Sequence, residues 1–252
     1  MKLIVTVFLL SLLLLAGCVT EKAFPEPEVQ PAEDRAKIHA DLAGQYLQRG
    51  QLDVALEEIN KSLDLDKNNK SANYVMALIQ IQLNKPENSE RYFKKAIVKP
   101  DPLPSAQNDY ANQLCRKGEF QKAEDLYRDL LDNPLYKARA RLLMNVGACF
   151  YKQEKYKEAE NAMRQSLRIN PNSPTALLQM AKISYINGKT LETRGWYQRY
   201  FQMASGNAEI LYIAYQTEMK LGDKNAAASY ALKLRSKYPN SSQAKSLITN
   251  SR

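Results

Sequence analysis

Ala111-Asn112-Gln113-Leu114-Cys115-Arg116-Lys117-Gly118-Glu119-Phe120-Gln121-Lys122-Ala123-Glu124-Asp125-Leu126-Tyr127 carries the marks on which the fold of this chain turns. A small residue (Ala111) is followed by a turn residue (Gly118), a second small residue (Ala123) and a large apolar one (Tyr127). The same four marks recur along the chain. The first small column is Ala43, Ala77, Ala111, Gly147, Ala181 and Tyr215, and the second is Ala55, Ser89, Ala123, Ala159, Thr193 and Ala227. The large column is Ile59, Phe93, Tyr127, Met163, Tyr197 and Ala231, and the turn column is Gly50, Asn84, Gly118, Glu154, Gly188 and Gly222. Successive members are separated by 34, 34, 36, 34 and 34 residues.

Helix crossing explains these columns. Small residues at positions 8 and 20 of each unit let two antiparallel helices approach, a bulky one at 24 fills the flanking space, and a turn near 15 joins them. This is the tetratricopeptide pattern, and it predicts an all-α chain: a right-handed superhelix of six helix-turn-helix repeats. The units are read as 36–69, 70–103, 104–137, 140–173, 174–207 and 208–241, with a short capping helix after them, so that residues 36–252 form one solenoid. Glycine at position 15 ends the first helix in a left-handed cap. Pro171 and Pro239 stop the second helix. Tyr215 and Ala231 depart from their columns, so the sixth unit is expected to pack differently, as terminal units do. The two extra residues fall in Asp132–Lys137, a bend that contains Pro134.

The N-terminus belongs to another design. Lys2 is followed by an apolar run from Ile4 to Leu15, too short to span a membrane, which ends in Leu15-Ala16-Gly17-Cys18. Residues 1–17 are read as a signal peptide whose ending resembles a bacterial lipobox, with Cys18 as the lipidated residue. Val19, in place of an aspartate, points to the outer membrane. Residues 18–35 are read as a tether: Pro25, Pro27 and Pro31 oppose helix, and Glu21, Glu26 and Glu28 keep the segment solvated. The mature chain is thus expected on the periplasmic face of the outer membrane, held by acyl chains.

The six units leave no room for a separate catalytic domain. A formal charge of +9 is compatible with nucleic-acid binding, but export argues against that partner, and lysine and arginine are spread through every unit. A solvated basic surface is the simplest reading; attraction to acidic protein segments or anionic lipid is the sharper one. The only histidine, His39, falls at a packing position, no cysteine or histidine cluster has metal-ligand spacing, and there is no glycine-rich phosphate loop. Neither enzyme activity nor a cofactor is expected, and the chain is read as a monomer.

With Cys18 taken by lipid, Cys115 and Cys149 remain as an even pair in an oxidising compartment. They fall on neighbouring first helices, close enough for a disulfide, with two buried free thiols as the alternative.

Beyond the generic columns lie more specific stretches. Asn108-Asp109-Tyr110-Ala111 with Leu114 to Gly118, Asn133-Pro134-Leu135-Tyr136 with Asn145 to Cys149, and Gly222-Asp223 with Ala226 to Ala231 and Leu234 resemble the type IV pilus biogenesis/stability lipoprotein family. The resemblance covers essentially the whole mature chain, with Asp109 and Ala111 where a second asparagine and a glycine are expected. It implies a pilotin, a lipoprotein that binds the outer-membrane secretin subunit of the pilus machine and supports its localisation and multimer assembly. A general envelope scaffold that recruits peptidoglycan-modifying enzymes is the alternative.

Superhelices of this type line their concave face with the first helix of each unit, where positions 2, 5, 9, 12 and 13 meet a partner. Those positions select Leu47, Tyr74, Leu78 and Ile81 in units one and two, Asn108, Asn112, Arg116 and Tyr151 in units three and four, and Tyr185 and Tyr212 in units five and six. Unit two is the most apolar, so Tyr74 and Leu78 are expected to anchor a partner, unless they only close the seam between neighbouring helices. Glu57 and Glu90 are expected on the convex surface.

Overall fold

The computed structural model of the chain describes residues 30–249. The described residues form thirteen α-helices and no strand. They pair as α1 (Ala32–Gln48) with α2 (Leu52–Leu65), α3 (Lys70–Gln82) with α4 (Pro86–Ala96), and α5 (Pro104–Lys117) with α6 (Phe120–Asp132). The series continues with α7 (Arg139–Lys152) and α8 (Tyr156–Ile169), α9 (Pro174–Ile186) and α10 (Thr190–Phe201), and α11 (Ala208–Leu221) and α12 (Lys224–Lys237). A last short helix, α13 (Ser242–Thr249), follows. The array is a tetratricopeptide superhelix.

Each turn is built the same way. All six residues of the turn column have positive φ, from 56° at Asn84 to 86° at Gly118, Glu154 included at 60°. In every unit the next N–H reaches back to the carbonyl five residues earlier, as in Glu119 N to Leu114 O and Lys155 N to Phe150 O, both within 3.0 Å. That is the Schellman closure, which satisfies a carbonyl the helix end would otherwise leave unpaired. Glutamate at 154 therefore adopts a backbone conformation that glycine adopts without cost. Helix starts are equally local. Asn69, Ser173, Asn207 and Asp223 cap the N–H groups of Ala72, Ala176, Ile210 and Ala226.

Packing follows the small columns. Ala43, Ala55, Ala77, Ala111, Ala123, Ala159 and Ala181 are fully buried, and Ile59, Phe93, Met163 and Tyr197 fill the spaces beside them. At Gly147 a Cβ would lie 3.0 Å from Met163 Cε and 3.2 Å from Ala159 O, so glycine lets α7 approach α8. Where the column is polar, the hydroxyl is satisfied: Ser89 Oγ donates to Gln113 Oε1 at 2.8 Å, and Thr193 Oγ1 donates to Lys189 O at 2.9 Å.

First helices of successive units pack backbone to backbone, α1 on α3 and α5 on α7 through α9 to α11, whereas the backbones of successive second helices stand further apart and meet only through long side chains such as Arg164 and Glu192. The array is therefore closed on its first-helix side and fanned open on the other, which makes the first-helix side concave. One step is looser: the backbones of α3 and α5 approach less closely than those of the other neighbouring first helices. The Tyr74 hydroxyl crosses that gap to Asp109, and beside it Phe93 of α4 stacks on Tyr110 of α5 at a centroid distance of 5.4 Å.

Several expectations need correction. The first helix begins at Ala32, so residues 32–35, read as the end of the tether, lie in α1, with Pro31 preceding its first turn. Proline is accepted there because the first helical N–H groups have no intrahelical partner. The signal peptide, Cys18 and most of the tether lie outside the described residues. In the bend after α6, Tyr136 is buried while Leu135 is 83% exposed. Ala231 can be small because α13 covers the sixth unit: Ala231, Leu211, Leu234, Ala244 and Leu247 form one buried cluster.

Candidate functional site

The concave side holds a cleft of about 440 Å³ where α1, α3 and the start of α5 meet. Tyr74, Val75 and Leu103 supply its apolar part. Asp41, Gln45 and Gln48 of α1, with Ser71 and Ser105, supply its polar rim. Gly44 opens it further, being a helical residue without a side chain at the wall. Amides and hydroxyls can donate and accept, which matches the exposed backbone groups of an extended segment.

Tyr74 sets the geometry of this cleft. Its hydroxyl donates to Asp109 Oδ2 at 2.7 Å, and its ring lies 6.4 Å from that of Phe93. Burial, reinforced by the Asp109 carboxylate, pushes the phenol pKa upward, so it stays a neutral donor. One ring thus closes the wide step between α3 and α5 and forms the cleft wall.

The structure sorts the remaining residues chosen from sequence. Leu47 packs against the core of unit one, and Leu78 and Ile81 pack, half-buried, against the core of units two and three. Those three do not line the cleft; the apolar character of unit two mainly closes seams. Asn108 is only 1% exposed and is bonded to Asp109 and Asn145, so it joins α5 to α7 instead of facing a partner. Asn112 accepts the Tyr127 hydroxyl at 2.6 Å, while Arg116 is exposed. Tyr151, Tyr185 and Tyr212 are half-exposed on successive first helices. Lys182 Nζ sits 5.4 Å from the Tyr151 ring centroid, Lys220 Nζ lies 5.0 Å from that of Tyr185, and Gln216 donates to the Tyr212 hydroxyl. Glu90 is not a free convex residue: it pairs with Lys94 and Lys117, each at 2.8 Å. Glu57 is exposed and pairs only with Lys61.

Gln45, Gln48, Ser71 and Ser105 line the cleft without being long apolar or aromatic side chains, the kind expected to anchor a partner. Their only sequence signal is polarity beside a buried stripe. Not expected from sequence either was Glu218, which is 2% exposed and bonded to Arg194 and to the Tyr197 hydroxyl, tying α10 to α11. The sulfur atoms of Cys115 and Cys149 lie within bonding distance, with the two Cα atoms 5.8 Å apart. His39 Nδ1 lies 2.6 Å from Glu58 Oε2, which places the histidine in the α1–α2 contact. Among the described residues no group of three or more histidine, cysteine or acidic side chains could hold a metal ion. No described helix is long and apolar enough to cross a membrane.

Fold and concave cleft together define a tetratricopeptide-repeat protein, and family models of the tetratricopeptide repeat match residues 71–97, 140–173 and 210–241. The type IV pilus assembly protein PilF of Pseudomonas aeruginosa is 27% identical over 236 residues, which is 93% of either chain. An uncharacterised Haemophilus influenzae protein is 26% identical over 133 residues, 52% of this chain and 74% of that one. The solved structure of Pseudomonas aeruginosa PilF superposes with a TM-score of 0.79 at 25% identity, covering 88% of this chain and all of that one. That of PilW, described as a widely conserved type IV pilus biogenesis factor, shares the fold with a TM-score of 0.76 at 24% identity, covering 84% of this chain and 98% of that one. The chain is thus a tetratricopeptide-repeat protein homologous to PilF along nearly its whole length.

Proposed function

We propose that this protein is a periplasmic lipoprotein, anchored to the outer membrane through Cys18, that binds the type IV pilus secretin subunit and promotes its localisation and multimerisation. Pilus biogenesis depends on it through that step. The homology with PilF along 93% of both chains is the observation that carries this reading. The concave cleft gives it a place: a partner segment lies along α1 and α3, pairs its backbone with Gln45, Gln48 and Ser71, and sets an apolar side chain against Tyr74 and Val75. Disulfide pairing of Cys115 with Cys149 holds α5 to α7 in the oxidising periplasm.

The test is a deletion strain complemented with Gln45→Glu/Gln48→Glu, which changes the cleft rim without touching the core. Secretin multimers resistant to denaturing electrophoresis and surface pili are both expected to fall, with protein level and helix content unchanged. Normal multimers would move the docking surface elsewhere on the molecule. Co-purification with peptidoglycan-modifying enzymes and not with a secretin would select the general scaffold instead.

A further inference from the structure

On the opposite, convex side the second helices fan apart, and between α8 and α10 they leave a cleft whose chemistry differs from that of the concave one. Trp196 of α10 lies between two guanidinium groups, with the Arg164 carbon 5.4 Å and the Arg199 carbon 5.1 Å from the indole centroid. A depression of about 400 Å³ opens toward Gly195 and Glu192. A second, of about 330 Å³, opens toward Leu167 and Arg168, and both share Arg164, Trp196 and Arg199. The charges are unevenly satisfied. Arg164 is held by Glu160 and Glu192, both at 2.8 Å. Arg199 donates only to the Pro171 carbonyl, and Arg168 is exposed. Neither Arg199 nor Arg168 has a carboxylate partner among the described residues.

Gly195 forms part of the wall of this cleft. It lies inside α10, where glycine is unfavourable relative to alanine, and a Cβ there would meet nothing within 4 Å. Neither its φ nor its packing requires glycine. The missing side chain leaves that stretch of the wall open next to Trp196 and Arg199.

We propose that this convex cleft is a second docking site, for an acidic segment of a partner protein, which places carboxylates on Arg168 and Arg199 and an apolar side chain against Trp196. Glu192 shows the required geometry, since its carboxylate already meets Arg164 in the same cleft. Planar guanidinium groups suit carboxylates, and arginine and tryptophan beside one another are typical anchors of protein interfaces. A bilayer is a poorer match. The cations are interleaved with Glu160 and Glu192, whereas an anionic lipid surface favours an uninterrupted basic face.

Trp196 is the only tryptophan of the chain, so tryptophan emission, excited at the red edge where tyrosine does not absorb, reports on this cleft alone. The experiment titrates the full-length protein, in mild detergent, with a short peptide in which phenylalanine is flanked by aspartate and glutamate. A saturable change in emission is expected, weakened about tenfold in Arg199→Gln and lost in Gly195→Leu, whose side chain fills the opening. Both variants should keep the helical signal of the wild type, and Gly195→Leu should melt no lower. The matching peptide with asparagine and glutamine should leave the emission unchanged. Absence of a saturable change, or one that survives in Gly195→Leu, overturns the proposal. So does a change produced by phosphatidylglycerol vesicles and not by the peptide, which would assign the cleft to lipid.

Discussion

Tyr74 donates its hydroxyl hydrogen to Asp109 Oδ2 at 2.7 Å, and this bond joins α3 to α5 where the backbones of neighbouring first helices stand furthest apart. It makes Tyr74 a packing residue and a cleft residue at once. Tyr74→Phe keeps the ring against Phe93 and loses the bond, so it should cost about 1 kcal/mol in denaturant unfolding. Tyr74→Glu with Leu78→Glu should cost far more, because both side chains pack on the core of units two and three. A pilus defect in that double variant would therefore report on folding. A defect in Gln45→Glu/Gln48→Glu would report on binding.

Glu154 has φ of 60° in a column where four of the other five members are glycine. Glu154→Gly should stabilise the protein by about 1 kcal/mol, measured as a higher midpoint in urea, because the left-handed turn no longer strains a side chain. Gly147→Ala should act in the opposite sense. Its Cβ would lie 3.0 Å from Met163 Cε and 3.2 Å from the Ala159 carbonyl, and only the methionine can move aside easily. A loss of about 1–3 kcal/mol is expected.

These two positions also show what sequence could and could not convey. The left-handed cap is expected from sequence only at the glycines of the turn column, yet Asn84 and Glu154 adopt it too, because the repeat fixes the backbone there whatever the side chain. Helix pairing, the capping helix and the small columns are local or nearest-neighbour features, and a repeat writes those into its own spacing. Direction across the interface between units is not written there. Positions 5 and 9 of a generic unit face the groove, yet Asn108 at position 5 of unit three turns inward to Asn145, and Leu78 closes a seam. Both are contacts between units, Asn108 with α7 and Leu78 with the core of units two and three, which no single-unit pattern encodes. The Trp196 cleft was invisible for a related reason: Arg164 and Arg199 belong to different units, and the indole joins them only after the second helices have fanned apart.

Pairing of Cys115 with Cys149 would close a loop with a sequence separation of 34 residues. A bridge of that size typically stabilises by about 2–4 kcal/mol, mainly by restricting the unfolded chain. Cys115→Ser/Cys149→Ser should therefore melt measurably lower than the wild type, and dithiothreitol should lower the wild type toward the variant. Thiol titration of the unreduced protein under denaturing conditions should find neither sulfhydryl. Two reactive thiols would leave a pair of buried cysteines that only pack together.

Anchoring rests on Leu15-Ala16-Gly17-Cys18 alone. Cys18→Ala should abolish incorporation of labelled fatty acid and release the chain into the soluble periplasmic fraction. A single acyl chain gives only weak, reversible membrane attachment, so stable fractionation with the outer membrane would itself argue for more than one. Unchanged labelling and fractionation in the variant would remove the anchor from the functional reading.

Glu90 supplies a pH test. Hydrogen bonds from Lys117 of α5 and Lys94 of α4 hold its carboxyl at about 2, below its ordinary value of 4.5. The Tyr110 hydroxyl donates to the same carboxylate at 3.2 Å. A carboxyl whose pKa is lower folded than unfolded stabilises the fold above its unfolded pKa and loses that contribution as pH falls through the folded one. Stability from this group should therefore be complete above about pH 5 and decline between there and about pH 2. Glu90→Gln keeps the size of the side chain and removes the charge, so it should be less stable than the wild type at pH 7, with the difference shrinking as pH falls through that window. The measurement is a set of urea melts from pH 7 to pH 2 on both proteins, at constant ionic strength so that screening does not mimic the effect. A difference that stays constant across the whole range would mean that Lys117 and Lys94 do not hold Glu90 ionised, and that the contact between α4 and α5 rests on Phe93 and Tyr110 instead.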